Sequence, residues 1–343
     1  MMVERADAQT VDHTPFAPVR IGVIGLGNFG RLHASTLAGL AEAELIALVA
    51  RREASLDAVA EPFPDVTGWT DLDRAIAESD AEAWVVASST ASHVPVTRKL
   101  LEAGKRVLLE KPIAETLSEA ESLAPLVEPD SNNLMLGHVV LFNSEFRQLM
   151  DEIAQRESIR YIDCVRHRPT TALDSYPGET PFHLTMVHDL YLTLALTQRA
   201  DPTGFSAQVH RTESGACDLA LAQLQWPNGM VASFTASFLT PAGMPGDGFD
   251  RMEVFGGSWS ARVRANPRPF EVWDDRARWP LKLEIRSDQV APSGMLAEQL
   301  RCFCRIVRGK QSVPIGAAFY DALQIQGWLD RLENSVTDSD PTR

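Results

Sequence analysis

Residues 20–33 read RIGVIGLGNFGRLH, and this stretch decides the fold. A short apolar run, Ile21 to Ile24, meets glycines at positions 25, 27 and 30, and a helical pattern follows at once. In this spacing Gly25 allows a tight turn, Gly27 lets a pyrophosphate approach the backbone, and Gly30 lets the helix pack closely on the sheet. Phosphates would bind the free N–H groups at the helix N-terminus. The stretch therefore predicts dinucleotide binding; the alternative is a glycine-rich turn without a ligand.

Composition narrows the class of protein. The chain has 343 residues, enough for about two domains, and 45% of them are hydrophobic. Its net charge of −14 disfavours binding to nucleic acid or to an anionic membrane. No apolar run approaches the ~20 residues that span a bilayer, and the acidic, polar N-terminus lacks the apolar segment of a secretory signal. Four cysteines are too few for a disulfide framework and do not suggest a metal site. We therefore predict a reduced, cytoplasmic protein without metal.

Strands alternate with helices from residue 19 to residue 140, after a mobile or partner-docking tail at 1–18. Apolar strand-like runs begin near Ile21, Glu44, Val66, Ala83, Arg106 and Leu134, with helical patterns between most of them. This alternation predicts an α/β fold with a doubly wound parallel sheet. Its ligand crevice would lie beyond the carboxyl ends of the strands. Three polar turns fall there: Gly25–Gly30, Ser88–His93 and Glu110–Pro112.

The pattern changes near residue 140. Helical segments at Asn143–Gln155 and Pro181–Leu196 are followed by successive strand-like runs, some joined by Asn-Gly or Gly-Gly turns typical of hairpins. Two further helices, Met295–Val307 and Ala317–Asn334, close the chain. We therefore predict an α+β substrate-binding and oligomerisation domain at 141–334, with an open, mainly antiparallel sheet. A polar tail is expected at 335–343, frayed from Asp338 onward.

Several segments together resemble the glucose–fructose oxidoreductase/inositol dehydrogenase (Gfo/Idh/MocA) family. These are GLGNFGRLH at 25–33, ASSTASH at 87–93, LEAGKRVLLEKPIAETLSEAE at 101–121, GHVVLFNSEFR at 137–147 and MVHDLYL at 186–192. The resemblance covers roughly residues 20–334 and implies an N-terminal Rossmann domain followed by a second α/β domain. Members are NAD(P)-dependent oxidoreductases of sugars, cyclitols and related polyols, and their open sheet often forms an oligomer interface.

Lys111 follows a strand of the predicted Rossmann sheet, beside the expected position of the nicotinamide. An ammonium there can hydrogen-bond a carbonyl or hydroxyl oxygen, and burial would lower its pKa toward the range useful for acid–base work. The resemblance makes Lys111 the active-site lysine, with Glu110 and Pro112 shaping the turn and a Lys–Pro bond that is often cis. The alternative is a solvated loop lysine.

His188 lies in the helix predicted from Pro181. The resemblance places an imidazole near the reacting hydroxyl here, with an Asp four residues earlier on the same helix face. This chain has Leu184 at that position. Either Thr185, Tyr191 or a residue of another loop replaces the carboxylate, or the substrate lacks the hydroxyl that Asp holds, or catalysis has been lost. Alternatively, His188 is a core or interface histidine, and Asp189 is expected to pair structurally.

Other candidates surround these two. His138 lies just past the last predicted strand of the sheet, in a segment that lines the substrate cleft in the family. Asn143 is either a substrate contact or the N-cap of the next helix. Arg166 would reach a substrate phosphate or carboxylate, or would be an exposed strand charge. With Thr185, His188 and Tyr191, His138 and Arg166 form the predicted substrate site.

The cofactor form depends on the end of the second strand, which reads Val49-Ala50-Arg51-Arg52. An NAD enzyme often has an acidic residue there, whereas a small residue followed by arginines accommodates a 2′-phosphate. We therefore predict NADP in preference to NAD; Glu53 keeps NAD open if the register differs. The predicted cofactor-binding residues are Gly25, Gly27, Asn28, Phe29, Gly30, Ala50, Arg51, Arg52, Ser88, Ser89, Thr90, His93, Glu110 and Lys111.

Together these features predict an enzyme that transfers a hydride between nicotinamide and a carbinol or keto carbon of a sugar, cyclitol or nucleotide sugar. Lys111 would be the polarising acid/base, and His188 would assist it. The family also contains non-catalytic dinucleotide-binding regulators, which the Leu184 departure favours, and NAD-dependent glycosidases. We expect a small-molecule substrate and a homodimer or homotetramer formed through the second sheet, with no nucleic-acid or membrane partner.

Overall fold

A computed structural model describes residues 14–60, 62–242, 250–264, 272–273, 277–278 and 291–338. Two compact units divide the chain. One contains the described residues up to Val139 and those between Glu284 and Ala322. The other contains the described residues of Val140–Leu283 and those from Leu323 onward. Each unit is built around its own sheet.

Six strands and five helices alternate along the first part of the chain. The strands are β1 (Val19–Ile24), β2 (Ala43–Val49), β3 (Thr67–Trp69), β4 (Ala83–Val86), β5 (Arg106–Glu110) and β6 (Leu134–Gly137). The helices are α1 (Asn28–Ala38), α2 (Glu53–Ala60), α3 (Leu72–Glu78), α4 (Thr90–Glu102) and α5 (Leu117–Glu121), and a 3₁₀ turn spans Ala124–Leu126. Asp71 and Thr116 cap α3 and α5 by accepting from backbone N–H groups of the first turn.

The six strands form one parallel sheet in the order β3-β2-β1-β4-β5-β6. Strand β4 and all of β5 except its first residue are buried, as expected for strands covered by helices on both faces. The strand order reverses direction between β1 and β4, where ligands bind in doubly wound sheets. The predicted doubly wound α/β fold is confirmed.

The rest of the chain begins with a 3₁₀ turn at Val139–Phe142. It continues with helices α6 (Ser144–Ile153), α7 (Ala172–Ser175), α8 (Val187–Leu196), α9 (Gly294–Val307) and α10 (Phe319–Asn334), and a π-helical turn, Phe182–Met186, precedes α8. The strands are β7 (Tyr161–Pro169), β8 (Gly204–Arg211), β9 (Cys217–Gln225), β10 (Val231–Thr240), β11 (Arg251–Phe255), β12 (Ser260–Val263), β13 (Val272–Trp273), β14 (Ala277–Arg278) and β15 (Val336–Asp338).

The second unit contains a seven-stranded sheet in the order β12-β11-β7-β10-β9-β8-β15. Its pairings are antiparallel except β7 with β10 and β8 with β15. The predicted open, mainly antiparallel sheet is therefore confirmed. Among the described residues, the short strands β13 and β14 pair with each other.

Several local expectations differ from the structure. Helix α9 was expected in the second domain, but it packs with α1 in the first unit, because its buried face includes Leu296, Leu300 and Phe303. Residues 336–338 of the predicted polar tail, of which Asp338 was expected to be frayed, pair with β8 because that edge offers unpaired backbone groups. Predicted tail residues 1–13 and 339–343 lie outside the described residues, as do 270 and 271 of a predicted strand.

The tail segment just before β1 has contacts within the first unit. Arg308 donates hydrogen bonds to the carbonyls of Ala17 and Pro18, and Lys310 donates to the Thr14 hydroxyl. The same Arg308 forms an ion pair with Glu82, 2.6 Å between the closest atoms. Among the described helices, none is long and apolar enough to cross a membrane.

Candidate active site

The glycine turn after β1 has the geometry that its spacing predicts. Gly25 has a φ of +88°, which disfavours a side chain, and a Cβ on Gly30 would lie 1.8 Å from the Gly25 carbonyl oxygen. A Cβ on Gly27 would meet no atom within 4 Å, so the space beside it is open. Gly27 is the N-cap of α1 and supplies no side-chain cap. The turn thus fits a pyrophosphate on the first N–H groups of α1.

The turn that contains Lys111 follows β5 directly. Glu110, the last residue of β5, is buried and pairs in register with Gly137 of β6. Its carboxylate lies 2.8 Å from Nε2 of His33 and accepts a 3.3 Å hydrogen bond from the backbone N–H of Lys111. The Lys111–Pro112 peptide bond is cis, as the resemblance implies. The start of the lysine turn is therefore held by a side chain from the dinucleotide-binding helix.

Two more buried histidines lie around this turn. Nδ1 of His93 is 2.7 Å from the Pro112 carbonyl, and its Nε2 is 3.1 Å from the Ser88 carbonyl. Burial lowers the pKa of His93, so the ring is neutral and donates only one of these bonds; the shorter, to Pro112, is the stronger. His93 was predicted to bind cofactor, and the structure shows that it connects the turns after β4 and β5.

His138 follows Gly137, so it leaves β6 beside Lys111, which leaves β5. Its Nδ1 donates to the carbonyl of Gly316 in the same unit. Burial lowers the pKa of His138 to about 4, so the ring is neutral and Nε2 is an acceptor. The Lys111 charge also acts to lower this pKa.

Serines form the turn after β4, as predicted. Ser92 donates from its hydroxyl to Oγ of Ser88 at 2.7 Å, and Ser89 is the N-cap of α4. Thr90 is the first residue of α4. The hydroxyls thus lie at the carboxyl edge of the parallel sheet, next to the glycine turn: a Cβ on Gly25 would lie 2.6 Å from the Ser88 backbone.

The end of β2 leaves two arginines exposed. Ala50 is buried and donates its N–H to the Trp69 carbonyl, whereas Arg51 and Arg52 face solvent. In the part of the chain that the structure describes, neither guanidinium pairs with a carboxylate. Both are therefore available to an anion. Glu53, the alternative acid, is the first residue of α2 and is also exposed.

In the second unit, His188 is the half-buried residue of a helix whose other residues are all buried. Its Nδ1 is hydrogen-bonded to the phenol of Tyr191, which is fully buried. Leu184, also half-buried, precedes it in the π-helical turn. Thr185 donates its hydroxyl to the Pro181 carbonyl at 2.9 Å. Of the two named substitutes for the missing carboxylate, Tyr191 is the one that contacts the imidazole.

Arg166 is neither an exposed charge nor directed at solvent. Its guanidinium lies 2.9 Å from Asp189 and 2.8 Å from Asp250, and 4% of the side chain is exposed. Burial would lower the pKa of Arg166, but the two carboxylates outweigh that effect and raise it. Arg168 also binds Asp250, at 2.6 Å, so two cations balance two anions. Asp189 pairs structurally, as expected.

Two further outcomes complete the site. Asn143 caps α6 by accepting from the Phe146 N–H at 3.0 Å, which is the structural alternative. Its side chain is buried.

No group of three or more His, Cys, Asp or Glu side chains with metal-binding geometry occurs among the described residues. Sequence reasoning missed the His33–Glu110 contact; the only signal was that both residues lie in the resembling segments.

A parallel doubly wound sheet with an open glycine turn and a lysine turn at its carboxyl edge defines the class of nicotinamide-dinucleotide oxidoreductases. Residues 19–138 match the model of the oxidoreductase family with an NAD-binding Rossmann fold, and residues 133–262 match that of the Gfo/Idh/MocA C-terminal domain. The chain belongs to the Gfo/Idh/MocA family of oxidoreductases.

Individual relatives differ in their substrates. A 4-carboxy-2-hydroxymuconate-6-semialdehyde dehydrogenase of Sphingobium sp. is 24% identical over 74% of this chain and 84% of its own. A UDP-N-acetylglucosamine 3-dehydrogenase of Acidithiobacillus ferrooxidans is 32% identical over 64% of this chain and 67% of its own. A scyllo-inositol dehydrogenase of Lactobacillus casei, solved with NAD(H) and scyllo-inositol, has a TM-score of 0.79 at 19% identity, covering 93% of this chain and 97% of its own. This last likeness shows the shared fold.

Proposed function

We propose that the protein is an NAD(P)-dependent dehydrogenase or reductase of a sugar, cyclitol or nucleotide sugar, acting at a CH–OH carbon. The observation that carries this proposal is the position of Lys111, directly after β5 in a turn held by the Glu110 carboxylate and the His93 ring. An ammonium at the carboxyl edge of the parallel sheet lies beside the expected ligand crevice. The substrate class follows from the relatives that act on UDP-N-acetylglucosamine and scyllo-inositol.

Lys111 would polarise the reacting oxygen and hold or release its proton, with His188 assisting. A positioned acid–base group contributes typically 10²- to 10⁴-fold to rate. The dinucleotide, when bound, supplies the nicotinamide that accepts or gives the hydride. The glycine turn and the first turn of α1 would hold its pyrophosphate, and the turn from Ser88 to Thr90 would contact its ribose or nicotinamide.

The preferred cofactor in this proposal is NADP. Ala50 places no carboxylate where a 2′-phosphate would be repelled, and the exposed Arg51 and Arg52 can bind one bidentately. The family model describes NAD binding, and NAD accompanies the solved relative, so NAD is the competing form. In this proposal Arg51 and Arg52 therefore determine which of the two cofactors binds more tightly.

A homodimer or homotetramer would form through one face of the second sheet. One side of that sheet carries Tyr161, Phe255 and Leu221. Directly paired residues of neighbouring strands point to the same side, and so do alternate residues of one strand. Tyr161 and Leu221 are among the exposed large hydrophobic residues, and the rings of Tyr161 and Phe255 stack at 5.7 Å. Such a face suits burial against a second copy.

A non-catalytic, dinucleotide-binding regulator is the second candidate, and the observation that favours it is Leu184. An apolar side chain stands where the family's helix presents a carboxylate, half-buried on the same helical segment as His188. Lys111 and His188 are the residues that argue against it. The family's NAD-dependent glycosidases are a further precedent without a specific observation here.

One screen separates these functions. The purified chain is mixed with NADP or NAD and with inositols, UDP-N-acetylglucosamine, free sugars and a carboxylated hydroxymuconate semialdehyde, and absorbance of the reduced nicotinamide is followed. Net reduction with a sugar-like substrate supports the proposal. Calorimetric binding of a dinucleotide without turnover of any substrate supports the regulator. Release of a sugar without net reduced cofactor, assayed with aryl glycosides, indicates the glycosidase.

A further inference from the structure

His188 has a hydrogen-bond partner within its own helix. The phenol of Tyr191 is hydrogen-bonded to Nδ1 of the imidazole, and the two rings meet edge to face with centroids 5.6 Å apart. Residues three apart share a helix face, so this contact is built into α8. Because Tyr191 is fully buried and His188 is half-buried, the phenol lies on the inner side of the imidazole.

The turn of α8 that carries His188 is attached to the sheet. Asp189, next to His188 in the chain, binds Nε of Arg166 on β7 at 2.9 Å, so the turn of α8 that carries the imidazole is anchored to a strand. Arg166 also binds Asp250, which in turn binds Arg168. These four charges cancel, and each guanidinium is held by at least one carboxylate. The anchor limits rotation of the helix about its axis.

Arg166 also acts on the phenol itself. The guanidinium is close enough to Tyr191 for the two to interact electrostatically. A nearby cation stabilises the deprotonated form of a phenol and so makes its O–H a stronger hydrogen-bond donor. A donor at Nδ1 leaves the proton of a neutral imidazole on Nε2. The arrangement thus favours one tautomer of His188.

We propose that Tyr191 is a positioning residue that fixes the rotamer and tautomer of His188. The inference rests on the proposed function, in which His188 meets the reacting oxygen. It deepens that function by naming the group that orients the imidazole, which is a neutral phenol on the following turn of the helix. Thr185 does not compete for this role, since its hydroxyl bonds the Pro181 carbonyl.

The first test needs no substrate. Ring-¹⁵N-labelled histidine is incorporated, and the His188 signals among the eight histidines are assigned from a His188→Gln sample. In the native chain at neutral pH these signals should show one dominant tautomer. Tyr191→Phe should shift them toward the averaged pattern of a free ring, whereas Tyr161→Phe, which removes a phenol on the sheet face, should not. An averaged pattern in the native chain overturns the proposal even if Tyr191→Phe does not fold.

The second test is kinetic, with the substrate that the screen identifies. Tyr191→Phe should lower kcat about tenfold or more with little change in KM and should alter the pH profile of kcat, because removing the partner of an acid–base group affects the transition state. An unchanged kcat and pH profile in Tyr191→Phe overturns the proposal. If no substrate turns over, the proposed function fails and the nitrogen spectra alone decide the role of Tyr191.

Discussion

Nε2 of His33 lies 2.8 Å from Oε1 of Glu110, and this buried contact joins two segments that are 77 residues apart in the chain. His33 belongs to the helix that follows the glycine turn, and Glu110 precedes Lys111. The carboxylate also accepts from the Lys111 backbone N–H. The dinucleotide-binding turn and the lysine turn are thus fixed to each other by one imidazole.

Removing this imidazole should be costly. His33→Ala would leave a buried carboxylate without its side-chain donor, and we expect a loss of about 2 kcal/mol in the free energy of unfolding. Urea unfolding followed by circular dichroism measures the effect. The matched control is His210→Ala, which breaks a histidine–carboxylate pair in which 63% of the histidine is exposed and should cost less than about 1 kcal/mol. A loss of less than about 1 kcal/mol in His33→Ala would show that the buried His33–Glu110 contact stabilises the fold no more than an exposed pair does.

The folded chain should become less stable as the pH is lowered, because His138 is buried. Burial holds its pKa at about 4 in the folded chain, against about 6.5 when unfolded. Between these values the unfolded chain binds a proton that the folded chain does not, so stability is retained above pH 6.5 and lost as the pH falls toward 4. The total is about 3 kcal/mol. His138→Gln should flatten the urea-derived stability profile in this window, and an unchanged slope would contradict the assigned pKa.

The Glu82–Arg308 ion pair should affect the stability of the folded chain in a lower pH range. Hydrogen bonds from Arg308 outweigh the effect of burial and lower the pKa of Glu82 to about 2. The pair therefore stabilises the folded chain above the unfolded pKa of about 4.3, and its contribution disappears as the pH falls through 2. Because both side chains are partly solvated, we expect Arg308→Gln to cost about 1 kcal/mol at pH 6 and less at pH 3. Arg74→Gln, which removes an exposed pair with Glu78, is the control. A cost that does not depend on pH would assign the effect of Arg308 to the Ala17 and Pro18 carbonyls.

Much of the first unit could be predicted from local pattern. Buried parallel strands are continuous apolar runs, and the residues that end them are glycine turns or caps such as Asp71 and Thr116. Each of these signals acts over a few residues, so it can be found without knowing the fold. The order in which the strands pair then follows from the family resemblance.

The contacts that build the site could not be predicted in this way. His33 reaches Glu110 only because α1 packs on β1, β2 and β4, beside which β5 lies in the assembled sheet. Arg166 was expected to contact substrate or to be an exposed strand charge, because arginine usually lies at the surface, but Asp189 and Asp250 satisfy its charge inside the second unit. The edge strand β15 depends on an unpaired neighbour, β8, more than a hundred residues earlier. Such long-range partners leave no periodic signal.

The proposed preference for NADP requires that Arg51 contribute to NADP binding. Arg51→Ala should weaken NADP binding about tenfold, the value of a hydrogen bond to a charged group, and should leave NAD binding unchanged. Isothermal titration with both dinucleotides measures this. Arg74→Ala, which removes a solvated arginine of the same unit, should affect neither. Equal affinity for NADP in the Arg51 variant and the native chain would favour NAD as the physiological form.

The central claim is that Lys111 performs acid–base work on a bound substrate, and one comparison tests it most directly. Turnover with the identified substrate is measured for Lys111→Ala and for Lys99→Ala, a surface lysine paired with Asp73. We predict that Lys111→Ala loses at least about 10²-fold in kcat while its dinucleotide affinity is retained, and that Lys99→Ala matches the native chain. Undiminished kcat in Lys111→Ala would contradict the account.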